Sequence, residues 1–206
     1  MPNWCNNTIK ISGTPKKIKV LADIIESIKD TRESNLFETL IGLPYGVSKE
    51  DYDMDWYNNN MNHFGCKWDV SPPDCDFEID IRDIVFHPLT AWSPPIPFCD
   101  KLAVKYGVNV SIYYSEPGCD FAGIVNIKKD GTFEEDQYPY SKGMYILDKD
   151  VWWEELNSNI EYSLNENMGM TAEEYVKKYR YVSGEDIKSV IEIYNEIKEE
   201  TLKQII

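Results

Sequence analysis

The chain has 206 residues, enough for one large domain or for a domain of about 130 residues with an appendage. Its hydrophobic content of 42% and aromatic content of 13% argue against disorder. A net charge of −15 disfavours direct contact with nucleic-acid phosphates, and no apolar run approaches the roughly 20 residues that span a bilayer.

NNTIKISG alternates, with Ile9 and Ile11 on one face and Thr8 and Lys10 on the other, so a half-buried strand is expected, ended by Gly13. TPKKIKVLADIIESIKD follows with Thr14 as N-cap and Pro15 in the first turn, and Ile18, Leu21, Ile25 and Ile28 fall at helical spacing. NLFETLIGLPYG reads as a short second strand closed by Pro44. The polar stretch SKEDYDMDWYNNNMNHFGCKWDVSPP shows no clear periodicity and reads as a long loop. CDFEIDIRD alternates again, with Phe77, Ile79 and Ile81 inward and Asp76, Glu78, Asp80 and Arg82 outward; DIVFHPLTAW continues as a paired or bent strand. The prolines of TAWSPPIP forbid a continuous element and enforce a sharp crossover at Trp92. PFCDKLAVKYG is a second helix carrying Phe98, Leu102 and Tyr106 on one face and stopped by Gly107. NVSIYYSEPG is a strand with Val108, Val110 and Ile112 inward, and FAGIVNIKKDGTFEE a hairpin turned by KKDG.

This order predicts an α+β fold: a ferredoxin-like antiparallel sheet with two helices on one face and an added β-hairpin, over residues 1–137. Residues 138–206 are expected to form an acidic helical extension. There KDVWWEELNSNIEYSL is helical, and TAEEYVKKYRYV opens on the capping box Thr171 and Glu174. The last helix carries Ile187, Val190, Ile191, Tyr194, Ile197 and Ile205 on one stripe. Acidity concentrates in this part: residues 1–129 hold 13 basic and 18 acidic side chains, residues 130–206 hold 8 and 18.

Several kinds of chemistry are disfavoured by the pattern of residues. Five scattered cysteines without a C-x-x-C pair read as buried thiols, not as a disulfide framework. His63 and His87 lack the His-x-Thr/Ser context of a two-histidine phosphodiesterase. The H-x-x-C of His63 and Cys66 with Cys75 has no obvious fourth ligand, so no metal site is assigned. The carboxylates Asp74, Asp76, Glu78, Asp80 and Asp83 read as a solvated strand face. No phosphate loop, dinucleotide fingerprint or nucleophile elbow is present, and no cofactor is expected. Without a basic, apolar leader the start MPNWCNNTIKISG reads as cytoplasmic, and the Asn6-Asn7-Thr8 sequon as chance.

MPNWCNNTIKISG, FGCKWD, TAWSPPIP and EPGCDFAG, in this order, resemble the YubB-like family of phage and plasmid proteins over about residues 1–130. The resemblance implies a ferredoxin-like domain and a mobile-element origin, and implies no biochemical activity. Its motif residues include Asn3, Trp4, Asn6, Trp68, Trp92, Ser93 and Glu116, which the expected topology places near strand ends. They suit either an aromatic-walled pocket with a few polar groups or a structural knot in which the indoles are buried and Glu116 caps backbone N–H groups. A second candidate surface is the acidic, tyrosine-rich segment: Glu134, Glu135, Asp136, Tyr138, Tyr140, Trp152, Glu154 and Glu155. The leading expectation is a non-enzymatic phage accessory protein that blunts a host defence by occupying a basic nucleic-acid-binding site on a host protein. The alternatives are sequestration of a nucleotide-type signal between the tryptophans, and a hydrolase with an unrecognised site.

Overall fold

The computed structural model describes residues 3–167, 169–178, 182 and 184–205, with the backbone alone at Glu185, Gln204 and Ile205. The chain divides into two compact units, Met1–Tyr140 and Ser141–Ile206.

In the first unit, the alternation of the opening segment becomes β1 (Trp4–Ser12), whose Cys5, Asn7, Ile9 and Ile11 are buried on one face. Helix α1 (Pro15–Ile28) starts at Thr14 and Pro15 and buries Ile18, Leu21 and Ile25 against that face. The expected second strand is instead a helix, α2 (Leu36–Ile41), burying Leu36, Phe37 and Leu40. What selects the helix lies elsewhere in the chain. The Asp69 carboxylate accepts from the N–H groups of Phe37 and Glu38 at 2.8 Å each, a cap supplied by a residue 31 and 32 positions away. At the other end, Lys105 Nζ and the Tyr106 hydroxyl donate to the Leu40 carbonyl at 2.9 and 2.8 Å.

The expected loop also contains helices, α3 (Lys49–Met54) and α4 (Trp56–His63). The Ser48 side chain caps α3 by accepting from Asp51 N–H, and the asparagine run ties the pair together. Tyr52 is buried with its hydroxyl on Asn60 Oδ1 at 2.7 Å, while Asn59 Nδ2 donates to the Tyr52 carbonyl at 2.8 Å.

Of the side chains of CDFEIDIRD expected inward, only Phe77 is half-buried: β2 (Phe77–Ile79) leaves Ile79 exposed beside Glu78. The chain then turns, with Asp80 N–H donating to the Asp83 carbonyl and Ile81 N–H to Asp80 Oδ1, leaving Ile81 exposed instead of inward. Ile84 and Phe86 of β3 (Asp83–Phe86) take the buried positions. After the break at Pro88, β4 (Leu89–Ala91) resumes the pairing with β1 in the same register. Helix α5 (Ile96–Tyr106) buries Phe98, Cys99, Leu102 and Ala103, and Gly107 ends it in the left-handed conformation. β5 (Asn109–Glu116), β6 (Phe121–Ile127) and β7 (Phe133–Tyr138) complete the unit.

The sheet is antiparallel with order β2-β3-β1-β5-β6-β7, β4 also pairing with β1. Removing the β6–β7 hairpin leaves two strand–helix–strand halves around β1, the ferredoxin-like arrangement, with α1 and α5 on the buried face. The topology agrees with the expectation, but its second strand is β2, not the segment at Leu36. The core rows run across the sheet, Phe86–Ile9–Ile112–Val125, and meet Phe37 and Phe98 of the helices, stacked at 4.1 Å. Each such side chain contributes about 1.5–3 kcal/mol on burial.

In the second unit, α6 (Tyr140–Leu147) leads to α7 (Lys149–Glu166), α8 (Ala172–Lys178) and α9 (Glu185–Ile205). The expected capping box is reciprocal: Glu174 N–H donates to Thr171 Oγ1 at 3.2 Å and Thr171 N–H to Glu174 Oε2 at 2.9 Å. Of the expected α9 stripe, Val190 and Tyr194 are buried and Ile187, Ile191 and Ile197 half-buried; the Ile205 side chain lies outside the described residues, as do Tyr179, Arg180 and Tyr181 of the expected α8 segment. Among the described residues no helix is long and apolar enough to cross a membrane.

Candidate functional site

Four motif segments far apart in sequence meet at the end of the sheet where β1 begins. Asn3 joins three of them: its carbonyl accepts from Trp92 N–H at 2.9 Å, and its side-chain amide donates to Cys119 Sγ at 3.1 Å. The Ser93 hydroxyl donates to the Gly65 carbonyl at 2.6 Å, stitching the crossover to the chain that precedes Trp68. Gly65 has a φ of +88°, and any Cβ there would collide with the Pro97 ring, so this close approach needs glycine. Asn60 Nδ2 holds the Lys67 carbonyl at 2.9 Å, which positions Lys67 itself.

Around this junction the aromatic side chains form a chain of contacts on the surface. Trp56 meets Tyr57 at 5.9 Å, and Tyr57 meets Trp92 at 6.0 Å, both edge-on. The Lys67 ammonium lies 4.5 Å from the Trp92 ring and 4.4 Å from the Trp68 ring, and Trp68 lies 6.2 Å from Trp4. The indoles are neither plugs nor loose: Trp4 is 47% exposed, Trp68 38% and Trp92 39%. Trp92 also holds a φ of +76°, a left-handed conformation that L-residues avoid. Such strain persists only where the surroundings fix it, and costs about 1–3 kcal/mol. Here the Trp92 N–H bond to Asn3 and the Ser93 bonds fix it: the Ser93 carbonyl accepts from Thr90 Oγ1 at 2.7 Å.

Between Trp4 and Trp68 opens a cavity of about 310 Å³, lined also by Asp69, Val70, Ser71, Asp74, Leu89 and Ala91. Burial pushes the Asp69 carboxyl up to about 6, against the opposing pull of the N–H donors of Glu38, Phe37 and Val70. Asp74 is exposed and meets Arg32 Nη1 at 3.5 Å. The Ser71 hydroxyl is shielded from solvent and has no hydrogen-bond partner.

The remaining motif residues do other work. Asn6 lies on the uncovered face of the sheet, opposite Leu89 and Ser115, and lines a separate hollow with Thr8, His87 and Tyr113. Glu116 is buried and caps the turn after β5, accepting from Gly118 N–H at 2.8 Å and from Cys119 N–H. Ser93 is committed to Gly65, so neither it nor Glu116 faces the tryptophans' cavity.

In the acidic segment, Glu134, Glu135, Asp136 and Tyr138 lie on β7, and Tyr140 opens α6. Glu135 accepts from the Tyr114 hydroxyl at 2.8 Å; Glu134, Asp136 and Glu154 are exposed, and Glu155 is half-exposed. Trp152 is 3% exposed, with Tyr145 at 5.1 Å and Trp153 at 5.0 Å, so it is a packing residue and not a contact surface. Its position explains this: Trp152, Leu156, Ile160 and Leu164 repeat every four residues along the buried side of α7.

The groups considered for catalysis are engaged in structure. His63 Nε2 lies 2.8 Å from the Gly42 carbonyl, with its basicity lowered by burial. His87 Nδ1 lies 3.1 Å from Thr8 Oγ1 on a different element. Burial pushes the Cys5 and Cys75 thiols up to about 12, and Cys66 and Cys99 upward too, which keeps all four protonated and unreactive. Reading the sequence for sites overlooked Lys67 as the link between two indoles, together with Trp56, Tyr57 and Ser71. For the first three, the signal was their density within one polar segment.

No curated protein matches the chain. A crystal structure of protein api92 from Yersinia pseudotuberculosis aligns at a TM-score of 0.47 and 9% identity, covering 67% of this chain and 98% of that one. The family model described as the ferredoxin-like domain in Api92-like protein matches residues 51–156, from α3 through β7 into α7. With half the sequence matched, the chain belongs to the family of Api92-like proteins built on this ferredoxin-like domain.

Proposed function

We propose that the protein is a non-enzymatic binding module that docks on a positively charged protein surface, with the tryptophan cluster as anchor and the carboxylates as steering charge. One observation carries this reading: Trp4, Trp68 and Trp92 stay half-exposed while bonded into a rigid frame, on a chain of net charge −15. Rigid aromatics in a patch rimmed by charge are the usual anchors of protein interfaces. Surface carboxylates speed encounter with a basic partner. The motif resemblance to YubB-like proteins of phages and plasmids supports a mobile-element setting. There the partner would be a host defence effector whose basic nucleic-acid site is occupied by this polyanion mimic.

The test is binding of labelled polylysine and polyarginine peptides, followed by anisotropy at low and high ionic strength. Binding that weakens with salt, and that a Trp68→Ala/Trp92→Ala double variant weakens further, supports the reading. Absence of binding to either peptide overturns it. Lys67 supports a second reading, in which its ammonium meets the phosphate of a nucleotide whose base stacks on Trp68 or Trp92. A nucleotide recovered intact from the denatured protein would favour that second reading. Turnover abolished by His63→Ala or Glu116→Ala would make the protein a hydrolase.

A further inference from the structure

We infer that the outer margin of β2 is a strand-addition site, which takes an extended segment of a partner protein in which lysine or arginine alternates with apolar residues. The inference goes beyond the tryptophan anchor and does not depend on it. Among the described residues β2 pairs with β3 alone, so one side of its backbone has no strand beside it. The register says which groups that side presents. Asp80 N–H donates to the Asp83 carbonyl at 2.9 Å, which makes these two a hydrogen-bonded pair at the end of the hairpin. Bonded and non-bonded pairs alternate along an antiparallel ladder, so Glu78 bonds to Val85, and the N–H and carbonyl groups of Phe77 and Ile79 point outward. An antiparallel strand laid there gains about four main-chain bonds.

The two faces of that margin differ, and each selects its own side chains. Phe77 and Ile79 stand opposite Phe86 and Ile84, on the face that the helices cover. Ile79 and Ile81 are exposed, and with Pro15, Ile18 and Ala22 of α1 they line a groove of about 500 Å³. Lys19 and Asp23 at its side are paired with each other at 2.9 Å. Apolar side chains of an added strand, opposite Phe77 and Ile79, would extend two core rows into this groove. On the other face Asp76, Glu78 and Asp80 recur at every second residue, all exposed, and Asp76 and Glu78 form no ion pair among the described residues. From Asp76 to Asp83 four carboxylates stand against the single guanidinium of Arg82. Lysine or arginine at alternate positions of the added strand would face these carboxylates, the favourable pairing across strands. The same charges exclude a second copy of this chain, whose β2 would set like against like. The other outer strand, β7, carries carboxylates on both faces at Glu134, Glu135 and Asp136, and so lacks the apolar row.

The experiment uses the full chain and a capped peptide of about seven residues in which lysine alternates with valine. Its controls are a peptide of the same composition with the valines grouped in the middle, and two N-methylated forms of the parent, one methylated at the valines and one at the lysines. Titration followed by amide NMR is expected to shift Phe77, Glu78 and Ile79 saturably and to slow hydrogen exchange at Phe77 and Ile79. The alternating peptide should bind at least about fivefold more tightly than the grouped one, although both carry the same charge. Methyl groups on the valine nitrogens, which face β2 in this pairing, should abolish the shifts; on the lysine nitrogens, which face away, they should leave binding in place. Ile79→Thr keeps a branched strand former and should weaken binding several-fold, as should Glu78→Gln, while Asp136→Asn on β7 should not. Equal affinity for the alternating and grouped peptides overturns the inference, as does undiminished binding of the valine-methylated form or a shift confined to β7. Shifts at β2 retained in Trp68→Ala/Trp92→Ala support a site independent of the tryptophans. If polylysine and polyarginine bind while the alternating peptide leaves β2 unmoved, this inference fails and the basic-partner reading stands.

Discussion

The left-handed backbone of Trp92 can be tested apart from its indole by comparing Trp92→Ala with Trp92→Gly. Both variants remove the same ring, with its contacts to Tyr57 and Lys67, and both keep the N–H bond to the Asn3 carbonyl. They differ in the Cβ. At a φ of +76° a residue with a Cβ is disfavoured by about 1–2 kcal/mol relative to glycine. Glycine in turn loses more chain entropy on folding, worth about 0.5–1 kcal/mol against it. The difference leaves Trp92→Gly more stable than Trp92→Ala by about 0.5–1 kcal/mol, or about 1–4 °C in melting temperature for a chain of this length. Urea unfolding followed by circular dichroism, with a shared slope for the two variants, measures it directly. If Trp92→Ala equals or exceeds Trp92→Gly, the backbone is not strained at the crossover, and the frame around the tryptophans is held by packing alone.

Asp69→Ala orphans the N–H groups of Phe37, Glu38 and Val70 and should cost about 2–3 kcal/mol, with hydrogen exchange accelerated first in α2; uniform acceleration across the unit would contradict a local cap. Gly123→Ala should destabilise by about 2 kcal/mol or more, because the added Cβ would collide with the Tyr114 hydroxyl and the Asp136 carbonyl. Tyr114→Phe, which only removes the bond to Glu135, should cost about 1 kcal/mol in the same denaturation assay. Burial lowers the basicity of His63 in the folded state, so the unfolded chain binds the proton more readily. The stability that His63 confers is therefore present above the unfolded value of about 6.5 and is lost as pH falls below it. The urea midpoint of His63→Gln should accordingly fall less than that of the parent between pH 7.5 and 5.5; parallel curves would exclude a buried neutral imidazole.

Local patterns in the sequence carried the strands that have one buried face and the helices with complete stripes. Ile9 and Ile11, Val110 and Ile112, and the series from Ile18 to Ile25 each state their face within a few residues. α2 did not, because Leu36, Phe37 and Leu40 suit a strand or a helix equally, and the choice is made by Asp69, Lys105 and Tyr106 from distant parts of the chain. The α3–α4 pair was hidden by polarity: its stability comes from side-chain amides at Asn59 and Asn60, which propensity counts as loop formers. Ser48 three residues before Asp51 was a readable cap. In the candidate site, the convergence of distant motifs follows from topology, but the partnerships of Ser93 and Glu116 with backbone groups do not show in a motif. Nor does an unbonded hydroxyl such as that of Ser71.

The two outer strands of the sheet, β2 and β7, end it with carboxylates: Asp76, Glu78 and Asp80 at one margin, Glu134, Glu135 and Asp136 at the other. A strand at a margin offers unpaired peptide groups to any neighbour of similar sequence, and like charge along it is a known guard against fibrous self-association. Copies of this chain approaching margin to margin would bring carboxylates together at either side. Raised ionic strength or acid would weaken that guard, so concentrated samples should stay dispersed in dilute neutral buffer and begin to associate as salt screens the margins.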